Sequence, residues 1–195
     1  MSNSVKLLAV LIGCLLPSEV ISQECRSLAS GSATVATEYI EHTDDNPDAA
    51  SCVKLAFHQI AVGPPAESIP VLINFLSYKR PLNKGERSGI FMHGKGPSEL
   101  YPAVHELGGL GPDAEVALIG FIPSKEDSNS LEIENALYAI LLIHHGNVVG
   151  VIQRLRAEAE NSDGPTARNR LKVAARTMLR WCDDRSRPEC ERALR

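Results

Sequence analysis

Three groups of residues have types and spacings suited to chemistry. Gly89-Ile90-Phe91-Met92-His93-Gly94-Lys95-Gly96 approaches the phosphate-loop pattern G-x-x-x-x-G-K-[ST]. There glycines let phosphate approach the backbone, the lysine meets its charge and a hydroxyl holds magnesium. Gly96 occupies the hydroxyl position and no apolar strand leads in, so the segment reads as a glycine-rich loop. The six histidines form the second group. His144 and His145 are adjacent, which on a helix separates them by about 100°. His105-Glu106 lacks the second histidine of H-E-x-x-H, and His42, His58 and His93 have no histidine partner at i+3 or i+4. No metal set, no G-x-S-x-G nucleophile turn and no cofactor motif emerges. The expectation is a protein with no catalytic residues, cofactor or metal.

Cysteines form the third group. Lys6 followed by the apolar run Leu7–Leu16, broken at Pro17, has the build of a secretory signal. Val20 and Ser22 place the cut between Ser22 and Gln23, giving a signal peptide over 1–22 and a mature domain over 23–195. The run is too short to span a bilayer, so no transmembrane segment is expected after signal removal. Leu11-Ile12-Gly13-Cys14 offers an alternative, a lipid anchor on Cys14. Removal of the signal leaves Cys25, Cys52, Cys182 and Cys190, an even set suited to two disulfides in an exported chain. Three pairings are open, and the local one, Cys25–Cys52 with Cys182–Cys190, is preferred. The expected location is periplasmic or secreted.

Charge suggests where a partner touches. The net charge of −4 gives no general case for nucleic acid. Within the chain, Arg168, Lys172, Arg176 and Arg180 recur every four residues, a single stripe on a helix. Leu171, Ala174, Ala175 and Met178 would form its buried face. A basic insertion near 79–96 carries Lys79, Arg80, Lys84, Arg87 and Lys95 against Glu86, with Phe91 and Met92 as apolar contacts. The expected binding residues are therefore Arg168, Lys172, Arg176, Arg180, Lys84, Arg87, Phe91 and Met92. They would meet a protein, or an anionic glycan or lipid head group. Trp181 is expected to cap the last hairpin.

The elements that must position these residues are helical. Aromatic residues are only 5% of the chain, so the core falls to Leu, Ile, Val and Ala. No strand-like alternation persists, whereas 3.6-residue periodicity does. Asp45-Asn46-Pro47 is a helix start, followed by the face Cys52, Val53, Ala56, Phe57 and Ile60. Ile69–Leu76 recurs as Glu115–Ile122 and, more weakly, as Val148–Leu155, each copy following a helix that closes on Gly63, Gly111 or Gly146. The spacing predicts four hairpins. First helices fall near 33–42, 66–78, 113–122 and 147–160, and their partners near 48–62, 97–108, 130–145 and 166–182.

Asn135-Ala136-Leu137-Tyr138-Ala139-Ile140 and Tyr101–Gly108 have a small–Leu–small rhythm, and Ile69-Pro70-Val71-Leu72 resembles a matching first helix. Over about residues 45–182 the chain resembles HEAT-like helical repeats. The Asp and Arg of that family's inter-helix turn are only partly present, as Asp48 with Lys54 and Asp163 with Arg168. The resemblance implies an all-α solenoid of about four stacked hairpins, used chiefly as a scaffold for protein contacts. Some relatives act on or bind small molecules, so the alternative is an exported enzyme or small-ligand protein using the groove between hairpins.

Overall fold

A computed structural model describes residues 25, 28, 31–43, 45–87, 96–127 and 130–195. The signal peptide, its cleavage site, Cys14, the Gly89–Lys95 part of the glycine-rich segment and the candidate contacts Phe91 and Met92 lie outside them.

The described residues are helical and contain no strand. Nine helices are labelled here: α1 Ala33–His42, α2 Ala50–Ala61, α3 Pro65–Asn74, α4 Pro102–Gly109, α5 Pro112–Phe121, α6 Leu131–Ile143, α7 Val148–Asn161, α8 Pro165–Thr177 and α9 Arg187–Ala193. One-turn helices at Lys84–Arg87 and Pro97–Leu100 lie between α3 and α4. Local chemistry sets the starts. Ser32, Ser130 and Asn147 accept bonds from the backbone N–H of Val35, Ile133 and Gly150. Pro65, Pro102, Pro112 and Pro165 open α3, α4, α5 and α8, where their missing N–H costs nothing.

Burial follows the repeat. The fourth residue of each copy, Leu72, Leu118 and Val151, is buried, and so is the eighth, Leu76, Ile122 and Leu155. The face predicted for α2 is likewise buried, from Cys52 to Ile60. Gly111 and Gly146 adopt φ of 69° and 81°, conformations that glycine takes without strain. At the end of α6, the Gly146 N–H bonds to the Leu141 carbonyl and His145 N–H to that of Leu142, at 2.9 Å each. That is a Schellman closure, with His145 itself at φ 51°.

α1 packs on α2, and α2 on both α3 and α4. α3 contacts α4 and α5, while α6 receives α4 and α5. The α4–α6 approach is close at Gly108, where a Cβ would lie 2.8 Å from the Leu142 Cβ. α7 and α8 pair with each other, and α8 rests on the 3₁₀ turn Ile122–Ser124.

Several expectations change. The helix predicted near 97–108 is broken at Tyr101, whose ψ of 91° is extended because Pro102 follows it. The last predicted helix leaves α geometry after Thr177 and tightens into the 3₁₀ turn Met178–Trp181. A further helix, α9, had not been predicted. Asp183 braces its entry by accepting the Ser186 N–H and Oγ–H at 2.7 Å each, and these bonds hold its carboxyl below the ordinary range. Trp181 lies edge-on to Tyr138 of α6, centroids 6.1 Å apart.

Cys25 is bonded to Cys52 and Cys182 to Cys190, with Cα separations of 4.9 and 6.7 Å. The first bond secures the segment before α1 to α2, and the second secures α9 to the end of the 178–181 turn.

Candidate functional site

Three cations of the basic segment before α4 are paired, Arg80 within the segment and Lys84 and Arg87 outside it. Arg80 and Glu86 are 2% and 4% exposed, and their side chains form two parallel 2.7 Å bonds. The Arg80 Nε also donates to the Glu99 carbonyl at 2.6 Å, and the Asn83 N–H donates to Glu86 at 2.9 Å. A buried ion pair survives only with such extra bonds. Arg80 is thus an interior anchor, and the insertion's surface charge is smaller than its residue count. Lys84 pairs with Asp48 at 3.0 Å and Arg87 with Asp45 at 2.9 Å. These two candidate binding cations staple the segment to the turn before α2. Nearby Tyr78 has its pKa raised, first by burial and then by Tyr39 and Asp45.

The four cations of the predicted stripe have different surroundings. Arg168 donates to the Ser162 carbonyl at 2.9 Å, and Arg180 pairs with Glu134 of α6 at 3.4 Å. Arg180 departs from the stripe because it sits in the 3₁₀ turn, where side chains advance by about 120° per residue rather than 100°. Lys172 and Arg176 line a separate pocket of about 220 Å³ with Arg156 of α7. Glu158 and Glu160 bind Arg154 and Arg156 of their own helix at 3.0 and 3.3 Å. The predicted apolar face is buried at Leu171, Ala174, Ala175 and Met178.

A larger groove, about 600 Å³, lies between α2, the turn 97–100 and α4. Leu55 and Pro102 contribute its apolar lining; Lys54, His58, His105 and Glu106 contribute charge and ring nitrogens. His58 Nδ1 stands 3.5 Å from Glu106 Oε2, with the imidazole 63% and the carboxylate 16% exposed. Ser98 lines the same groove. Among the described residues it makes no hydrogen bond to either imidazole. The arrangement offers two carboxylate acceptors, the largely buried Glu106 and the exposed Glu99, with an exposed ammonium and two imidazoles around an apolar floor. It suits the polar rim and apolar centre of a recognition site.

His144 is engaged elsewhere: its Nε2 meets Glu115 at 3.1 Å, and Glu115 also meets Arg154 at 3.2 Å, joining α5, α6 and α7. Among the described residues no group of three or more His, Cys, Asp or Glu is placed to hold a metal ion. Among them, too, no single helix is long and apolar enough to cross a membrane.

Sequence reasoning missed the groove because its residues come from three segments. The available signal was paired i, i+4 and i, i+3 spacing, Lys54 with His58 on α2 and Pro102 with His105 on α4. Comparison with known proteins found no matching family, curated protein or solved structure.

Proposed function

We propose that the chain is an exported, non-catalytic binding protein, a HEAT-like stack of four helical hairpins whose α2–α4 groove holds a segment of a partner protein. The hairpins are α1/α2, α3/α4, α5/α6 and α7/α8. Packing of α2 on α4, α4 on α6 and α3 on α5 supports this stack. The signal-like N-terminus and the two bonded cysteine pairs support export.

The carrying observation is the convergence of Lys54 and His58 with His105 and Glu106 around the apolar lining of Leu55 and Pro102. Two consecutive second helices build it, the arrangement a stacked scaffold uses to read an extended chain. A mixed-sign rim favours a peptide with both charges over a uniformly anionic polymer.

The test is capture from envelope extract of the source cell, identification of the retained protein, and titration with that protein purified. Lys54→Glu with His105→Glu, both at exposed positions, is expected to weaken binding about tenfold or more, two charge contacts being lost. Equal binding by this variant would exclude the groove. Absence of any retained protein at low salt would sink the scaffold reading.

The His58–Glu106 pair favours a second reading, a hydrolase using the imidazole as general base. Turnover of ester or amide probes, abolished by His58→Ala, would establish it in place of the first.

A further inference from the structure

We propose that the pocket between α7 and α8 is a phosphate-binding site, independent of the α2–α4 groove. Its walls carry the side-chain cations Arg156, Lys172, Arg176 and Arg195 against one side-chain carboxylate, Glu160. Ala175 and Leu194 supply the apolar floor.

The cations differ in how they are held. Arg156 is fixed: its Nη1 donates to the Ala193 carbonyl at 2.9 Å and its Nη2 meets Glu160 at 3.3 Å. Lys172 and Arg176 lie one turn apart on α8, where like charges repel. Among the described residues neither side chain makes a hydrogen bond or an ion pair, although those of Arg168, Arg170 and Arg180 around them all do. Two unpartnered cations beside a prepositioned third define a site for an oxyanion, which relieves the repulsion as it binds. A phosphate monoester fits best. It has three terminal oxygens for three cationic donors, and guanidinium groups match phosphate geometry in pairs. The volume of about 220 Å³ admits one phosphoryl group and a little of its ester, not a polymer chain. A soluble phosphate monoester and the phosphatidic acid head group both present this chemistry.

The test uses the processed full chain with its disulfides intact. Glycerol 3-phosphate and inorganic phosphate are titrated by calorimetry at constant ionic strength, with chloride as the balancing anion. Vesicles of phosphatidylcholine, with and without phosphatidic acid, form the second arm. Binding of glycerol 3-phosphate is expected, weakened about tenfold or more by Lys172→Gln with Arg176→Gln, since two charge-assisted bonds are lost. Arg168→Gln should change it by less than about twofold. Phosphatidic acid-dependent vesicle binding, displaced by glycerol 3-phosphate and lost in the double variant, would assign the site to a lipid head group. Binding of the soluble ester without vesicle binding would assign it to a soluble phosphoester. Circular dichroism of the double variant should match the native chain, because both positions are exposed. No phosphate-dependent binding in either arm, or equal binding by the double variant, would overturn the site. Lys54→Glu with His105→Glu should leave phosphate affinity intact, which separates this proposal's failure from that of the groove.

Discussion

Residues 79–87 and 168–180 look alike as sequence, each a cluster of lysine and arginine, yet their cations end differently. In the first, Arg80 is buried against Glu86 and Lys84 and Arg87 reach back to Asp48 and Asp45, which leaves only the exposed Lys79 without an ion pair among the described residues. In the second, Arg168, Arg170 and Arg180 find partners, but Lys172 and Arg176 face a pocket without one. The lesson concerns satisfaction rather than count. A cation already matched by a carboxylate gains little from a ligand, because binding must first give up the existing pair. An unmatched cation beside another has its electrostatic energy still to gain.

The comparison breaks most readily at Arg80. Arg80→Met leaves the Glu86 carboxylate buried without its cation and should cost about 3–5 kcal/mol in urea denaturation. Adding Glu86→Leu should return most of that loss. Lys172→Gln with Arg176→Gln should stay within about 0.5 kcal/mol of native, as exposed substitutions do. If Arg80→Met unfolds like the native chain, the two basic clusters are equivalent and the contrast fails.

The disulfides sharpen the contrast at the next level. By loop length, removing Cys25–Cys52 should cost about 3.5 kcal/mol and removing Cys182–Cys190 about 2.5 kcal/mol. Only the second should weaken phosphate binding, because α9 carries Ala193, which orients Arg156, and leads to Leu194 in the pocket floor. Paired cysteine-to-alanine variants, compared by melting and by calorimetry, check both parts. Loss of phosphate binding with the first pair alone would place the sensitive region elsewhere.

The smallest effect belongs to the surface staples. Lys84 and Asp48 side chains are 78% and 72% exposed. Lys84→Ala should therefore cost only about 0.2–1 kcal/mol, and the loss should shrink in high salt. A cost near that of Arg80→Met, measured in the same urea series, would mean that the exposed and buried pairs act as one unit.

Much of the helical layout was legible beforehand. α1 spans the predicted 33–42, and α6 and α7 start within a residue or two of expectation, because Ser130 and Asn147 announce their caps. The break at Tyr101 was legible too, from Pro102, but helical periodicity on both sides masked it. α9 was missed because seven residues carry little periodic signal. The stripe was overread: four-residue spacing aligns side chains only while α geometry lasts, and it ends at Thr177.

The candidate sites were less legible than the helices. Lys172 and Arg176 stood out by type and spacing, but Arg156 and Leu194 join them only through the packing of α7 against α8 and α9. His58 and Glu106, 48 residues apart, meet because α2 packs on α4.

Local sequence was enough to make the described residues helical, to start most of the helices and to mark their apolar faces. Those outcomes rest on neighbours within one or two turns: caps, prolines and the 3.6-residue period. Which charges are matched and which remain available depended on how the helices pack. That follows because a charge's worth depends on its burial and on partners within a few ångströms, and here those partners come from distant parts of the chain.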